Sequence, residues 1–380
     1  MTDQLDLNVT DDEFDDEVDE LDTAEDQADA LDLSADERKL VTQPYDLGVK
    51  SISTDIDGGR ISLEIEYQRK YVWDFGKASR LIESLLLNVP IPVCYFAEDE
   101  EGVYEVIDGL QRLTTIKKFL DGEFALSGIS VLSELDGKFF SELAPRDRRR
   151  LENRTIRCIV ITEDSHPDIK FDVFERLNTG AASLTAQELR NSVYRGDFNS
   201  ALKQLAQKPY FTRLMGGLGN KRMDHEELIL RYFALADGLL VYKPPLRQTL
   251  NTFMRYHRRE VPSDDQVALF ESTCMTVAEV LGDLPFKVAG SKNPVNKAMF
   301  DAVMIPFAFS DQGELLEHAE AVASMVEELT DDDRFRTAIG RATADRSRML
   351  YRVGLVAQNL RELGVGVDLP EGLGLEPTSR

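Results

Sequence analysis

The sequence predicts an α+β protein, with a mixed α/β domain followed by an all-helical one. Three observations lead there. The runs rich in β-branched and aromatic residues, PVCYFAED, VYEVID and TIRCIVIT, all lie before residue 197. Beyond that point apolar residues recur almost throughout at helical spacing. The 380 residues also exceed what one compact core usually organises, so two domains are expected. The expected boundaries are an acidic disordered tail over 1–40, the mixed domain over 41–196, the helical domain over 197–365 and a flexible tail over 366–380.

The tail dominates the charge. Residues 1–37 hold 17 Asp and Glu and no Lys or Arg; taking those 17 charges from the net −25 leaves −8 for the other 343 residues. Such a segment cannot bury enough apolar surface to offset its ordering entropy and self-repulsion. Solubility is its plain role. Competition with nucleic acid for a basic surface, or docking on a basic partner, is the functional one.

Along the chain, SADE at 34–37 has capping-box spacing and TQPYDLG at 42–48 reads as linker. Residues 49–66 have strand character broken by the turn IDGG, and YQRKYVWDF follows at 67–75. KASRLIESLLLNVP carries apolar residues at 81, 82, 85, 86 and 89, a helical period stopped by Pro90. PVCYFAED and VYEVID, joined by EDEEG, read as a hairpin, after which LTTIKKFLDG starts a helix. A helix with the cationic run RDRRRLENR is expected over 137–154, a strand over 155–162, and a helix over 168–180 ended by Asn-Thr-Gly. SLTAQELRNSVYRGDF starts another helix. Helical patterns follow at 198–207, 223–237, 265–283, 295–309, 313–328 and 332–362.

Chemistry concentrates at IDGLQRLTTI, 107–116, a strand-to-helix corner. Gly109 permits backbone conformations closed to other residues. A helix start presents unpaired N–H groups and the positive dipole end, which attract anions. Arg112 adds a bidentate partner for phosphate oxygens, at a cost against the helix dipole unless an anion is present. Gln111 adds an amide, and Thr114 and Thr115 are candidates to add hydroxyls. Asp108 is either the helix N-cap or the ligand of a metal accompanying the phosphates. Simple capping explains the same residues without a ligand.

Three further groups matter. In YQRKYVW, Arg69 and Lys70 are candidates for an anion and Tyr71 or Trp73 for stacking on a base, while the plainer reading makes Trp73 a core anchor and Arg69 a surface charge. In FERLNTGAASLTAQELRN, Asn178, Thr179 and Gly180 form a turn whose amides make an anion nest, flanked by Arg176 and Arg190. There the Thr185–Glu188 spacing is explained by a capping box. Arg146, Arg148, Arg149, Arg150, Arg154 and Arg157 form either a solvated face or a phosphate track for nucleic acid, with Arg146, Arg149 and Arg150 as the contacts.

Several classes fall away. No GxxxxGK[ST], GxSxG or HExxH occurs, and the four histidines have no metal spacing. Three distant cysteines suggest neither a disulfide framework nor a zinc site, which fits a reducing compartment. The acidic start lacks a signal peptide's basic region. The longest uncharged run, 84–97, contains Pro90 and Pro92 and is too short to span a bilayer. A soluble cytoplasmic protein with no membrane partner is expected.

The order YQRKYVW, LIESLLLNVPIP, VYEVIDGLQRLTTIKKFLDGEF, VFERLNTGAASLTAQELRN closely resembles the N-terminal domain of GmrSD-type restriction endonucleases, over about residues 50–200. The resemblance implies a ParB/sulfiredoxin-like fold and nucleotide binding with hydrolysis. It places the phosphate site at Asp108, Gly109, Gln111 and Arg112, bordered by Arg69 and the Asn178 turn, with Mg²⁺ as companion and Arg112 and Arg69 stabilising charge. It also implies defence against foreign DNA. The family pattern usually reads Asp-Gly-Gln-Gln-Arg, and Leu110 stands at its third position here. Fused relatives carry an HNH-type nuclease. With only His225, His257 and His318 after residue 200, the nuclease is expected to be missing or to be a separate protein. Two other readings stand: a non-catalytic DNA- or partner-binding module gated by the acidic tail, and a ParB-like nuclease using Asp108 and Glu188.

Overall fold

The structure is a computed structural model that describes residues 39–63, 71–177, 184–220, 222–288, 291 and 293–375. The acidic tail to residue 38, its capping box, Arg69, Lys70, the Asn178–Gly180 turn and residues 376–380 lie outside the described residues. The chain divides into two compact units, one ending at Tyr194 and the other beginning at Arg195.

The first unit is built on a sheet of five strands among the described residues: β1 (Thr42–Gly48), β2 (Ile61–Ser62), β3 (Cys94–Glu98), β4 (Tyr104–Asp108) and β5 (Thr155–Ile161). Their order is β1-β5-β3-β4-β2. β1 runs antiparallel to β5 and β3 antiparallel to β4, while β3–β5 and β2–β4 are parallel. The β3–β4 hairpin is the one expected. In its turn Asp99 Oδ1 accepts from the amides of Glu101 and Val103.

Two expectations are corrected here. TQPYDLG is not a linker but the edge strand β1, paired along its length from Thr42↔Ile161 to Gly48↔Thr155. Its composition is poor for a strand, and the pairing comes from β5. An edge also tolerates Pro44, which has no N–H to donate. Residues 49–57 form a helix, α1 (Val49–Asp57), not a strand. Val49, Ile52 and Ile56 lie on one helical face, and the first two are fully buried. Their β-branching suggested a strand, but spacing and burial decided the outcome.

Four helices cover one face of the sheet: α1, α2 (Phe75–Leu87), α3 (Leu110–Leu120) and α4 (Pro145–Glu152). Asp74 caps α2, accepting from the Lys77 amide at 2.7 Å, and Asn88 ends it in the left-handed region. Ile52, Ile82, Leu85, Leu113, Ile116, Phe119 and Leu151 pack there with Cys94, Phe96, Val106, Ile156, Cys158 and Val160 of the strands. Each fully buried side chain of this size contributes about 1.5–3 kcal/mol. Within 137–154 only α4 is α-helical, preceded by a single 3₁₀ turn at Phe140–Glu142. Pro145 at its first position suits a helix start there.

The helices α5 (Pro167–Leu177) and α6 (Ala186–Val193) complete this unit. Glu188 accepts from the Thr185 amide at 2.7 Å and Thr185 Oγ1 from the Glu188 amide at 3.1 Å, so the expected capping box is present. Glu105, alternating away from Tyr104 and Val106 on β4, accepts from Ser192 Oγ of α6 at 2.8 Å.

The second unit is helical: α7 (Asp197–Ala206), α8 (Pro209–Leu214), α9 (Asp224–Gly238), α10 (Leu246–His257), α11 (Asp264–Leu281), α12 (Lys297–Ala308), α13 (Gln312–Glu317), α14 (Ala319–Asp331), α15 (Asp333–Gly340) and α16 (Arg346–Glu362). The pattern over 332–362 is thus two helices rather than one. The break falls where Asp345 caps α16, accepting from the Arg348 amide at 3.0 Å. Asp301 of α12 is fully buried between Arg231 of α9 and Arg352 of α16, at 2.6 and 2.8 Å. No helix among the described residues is long and apolar enough to cross a membrane.

Candidate anion site at the β4–α3 corner

β4 ends at Asp108, the chain turns at Gly109, and α3 begins at Leu110. Gly109 has φ +105°, and a Cβ there would stand 2.6 Å from the Cys94 Sγ on the neighbouring strand. Glycine is required both by the backbone angle and by the close approach of β3.

Gly109, not Asp108, occupies the N-cap position, so of the two readings of Asp108 the cap is excluded. No side chain caps α3, and its first turn holds no acidic residue. The helix start therefore keeps the electropositive character that a Ser, Asp or Glu would have quenched.

Asp108 instead pairs with Arg112, whose Nη2 donates to Asp108 Oδ2 at 2.7 Å. The same nitrogen donates to the Val93 carbonyl at 3.2 Å, and Nη1 donates to the Pro92 carbonyl. Arg112 is only 8% exposed, whereas the Asp108 side chain is 45% exposed. The guanidinium thus locks the residues before β3 to the corner and holds the carboxylate in place. The carboxylate stays open to solvent.

The other corner residues separate by direction. Leu110 is buried in the core, so its place in the motif faces inward. Gln111 Oε1 accepts from the Val72 amide at 3.0 Å, leaving its NH₂ as donor. Thr114 is half-buried on the first turns of α3. Thr115, fully buried, donates to the Gln111 carbonyl at 2.7 Å and so accepts from Tyr71 Oη at 2.9 Å. Lys118 lies 4.9 Å over the Tyr71 ring, and Lys77 lies 4.7 Å over Trp73. Tyr71 and Trp73 both pack at the edge of the core. The end of the YQRKYVW motif therefore docks on the corner helix. Arg69 and Asn178 lie outside the described residues.

Beneath the corner, Cys94 and Cys158 are register partners on β3 and β5, and both are fully buried. The neighbouring Cys158 thiol and the Arg112 charge hold the Cys94 thiol below its usual range, against burial and the Asp108 carboxylate. Hydrogen bonding to Cys94 and burial push the Cys158 thiol well up. Among the described residues, no group of three or more His, Cys, Asp or Glu is arranged to hold a metal.

The arginine cluster divides. Arg154 is structural: it donates to the Leu85 and Leu86 carbonyls and to Asn88 Oδ1 at the end of α2. Arg157 forms a two-pronged pair with Asp46 at 2.7 and 2.9 Å. Arg146, Arg149 and Arg150 are exposed on α4 and form no ion pair among the described residues.

Sequence reasoning missed the Pro92 and Val93 carbonyls and Cys94 as parts of the corner. Nothing local signals a contact twenty residues away. It also missed Glu105, an acid within an otherwise apolar strand, which is the kind of signal that marks a buried polar contact.

Residues 51–195 match the family described as GmrSD restriction endonuclease, N-terminal domain. No curated protein and no solved structure gives a significant match to the chain.

Proposed function

We propose that this chain, whose residues 51–195 belong to the GmrSD restriction endonuclease N-terminal domain family, is an NTP-binding and NTP-hydrolysing component of a restriction-like defence system. The observation that carries this reading is the uncapped start of α3 beside the Arg112-held Asp108 carboxylate. In the proposal the first-turn amides, the Gln111 NH₂ and the Thr114 hydroxyl bind phosphate oxygens. A bound nucleotide with Mg²⁺ would supply the phosphoanhydride and neutralise its charge. The residues present fit such a pair. Magnesium keeps most of its waters and takes one or two carboxylates, and Asp108 is the exposed one at the corner.

The chain's own residues then act by position. Asp108 orients the metal or the attacking water. Arg112 is a positioning residue, since its guanidinium already serves Pro92, Val93 and Asp108. Arg69, two residues ahead of the docked Tyr71, is assigned the charge developing on the transferred phosphate, and Asn178 the far border of the pocket. The ParB/sulfiredoxin-like kinship and cytoplasmic location belong to this proposal, as does a separate nuclease subunit.

Asp108→Asn keeps an acceptor for Arg112 but removes the charge. It is expected to lower Mg²⁺-dependent phosphate release at least tenfold, about 1.4 kcal/mol, with the thermal midpoint little changed. A wild-type protein that releases no phosphate from any NTP, with or without DNA, overturns the hydrolysis reading.

A second reading has one observation in its favour: the three exposed, unpaired arginines of α4 suit a nucleic-acid backbone, with the acidic tail as competitor. The nuclease reading has less support, because Glu188 is buried and committed to its capping box.

A further inference from the structure

The helical unit holds a cavity of about 200 Å³ between α15, the first turns of α16 and the turn at Gly374. It is lined by Arg334, Thr337, Ser347, Arg348 and Tyr351. Gly374 permits this wall: with φ +67°, a Cβ there would stand 2.3 Å from the Leu350 carbonyl carbon, so only glycine lets the turn lie on α16.

Among the described residues, the lining holds two guanidiniums and a phenol and no carboxylate. Arg334 is exposed, its guanidinium 4.1 Å over the Tyr351 ring. Arg348 donates Nη1 to the Arg341 carbonyl at 2.5 Å. Neither arginine forms an ion pair within 4 Å among the described residues, although the Arg348 charge is among the causes that hold the Asp345 carboxyl below its usual range. Tyr351 is 9% exposed, and its hydroxyl has no hydrogen-bond partner there.

The nearby acids are already engaged. Asp345 accepts from Ser347 Oγ at 2.5 Å and from the Arg348 amide at 3.0 Å. Asp332 accepts from the Phe335 amide at 2.7 Å. Thr337 Oγ1 donates to the Asp333 carbonyl at 2.8 Å, so the two hydroxyls do not compete as donors. Burial and the Asp332 charge push the Tyr351 phenol up, against the Arg334 charge, which keeps it a donor at neutral pH.

We propose that this cavity binds a phosphate group, gripped by the Arg334 and Arg348 guanidiniums and the Tyr351 hydroxyl. Forked guanidiniums match tetrahedral oxyanions. At about 30 Å³ per water, the cavity has room for roughly six waters, enough for a phosphate, and its open side leaves space for what the phosphate is attached to. The site lies outside the 51–195 domain and does not depend on the corner's function.

Isothermal titration of the full chain with inorganic phosphate tests this. Wild type is expected to bind. Arg334→Gln and Arg348→Gln should each weaken binding at least tenfold, and Tyr351→Phe about three- to tenfold. Lys208→Gln, which removes an exposed cation of the helical unit outside the cavity, should leave this binding unchanged. Glycerol 3-phosphate separates the sources: tighter binding than phosphate assigns a phosphomonoester, weaker binding free phosphate. No phosphate binding by wild type, binding that survives both arginine substitutions in folded protein, or equal binding of acetate overturns the proposal.

Discussion

Gly109→Ala is expected to lower the unfolding free energy by about 2–5 kcal/mol, read as a lower denaturant midpoint with little change in slope. Two costs combine. A residue with a side chain at φ +105° is strained, and its Cβ would press on the Cys94 Sγ at 2.6 Å. The sulfur cannot swing freely, because Cys94 is fully buried against Cys158 in the next strand. The second cost should be partly relieved by Cys94→Ala, so the double variant should recover some stability while the backbone cost persists. A Gly109→Ala protein as stable as wild type would mean the corner is not built as described.

Arg112→Ala has the next largest effect, about 2–4 kcal/mol. Three acceptors lose their donor at once: the Pro92 and Val93 carbonyls and the Asp108 carboxylate. Pro92 is exposed and Val93 half-buried, so what each carbonyl loses is a hydrogen bond to a charged donor, about 1.5–3 kcal/mol less what water restores. The share from Asp108 is smaller, because at 45% exposure water screens the ion pair and solvates the freed carboxylate. Arg112→Lys should rescue little, since one ammonium cannot span the acceptors that the planar fork reaches. Nucleotide binding is expected to fall in both variants through the displaced Asp108. A full rescue by lysine would show that the charge alone matters.

The fold class was legible because hydrophobic periodicity carries it. The hairpin, the 155–161 strand, the capped helix after Thr185 and the helical half all follow from spacing and turn residues. β1 was not legible, because TQPYDLG becomes a strand through its pairing with β5, more than a hundred residues later. α1 was misread because β-branched Val49, Ile52 and Ile56 imitate a strand, while their spacing fits a helix. At the corner, the glycine, the helix start and the cluster of polar residues could be read from IDGLQRLTTI. Local sequence could not show that Arg112 turns back to carbonyls at 92 and 93, nor that a cysteine beneath Gly109 fixes its identity. Those are tertiary facts. They show what Arg112 does within the fold: it holds Asp108.

The central claim is that the start of α3 receives the phosphates of a nucleotide, and Gln111→Glu tests it most directly. The substitution keeps an oxygen for the Val72 amide, so the fold should be preserved, but it places a negative charge in the first turn. Binding of a slowly hydrolysed NTP analogue, measured by titration with Mg²⁺, is predicted to weaken at least tenfold at unchanged thermal stability. Equal affinity in the wild-type and Gln111→Glu proteins would contradict the account.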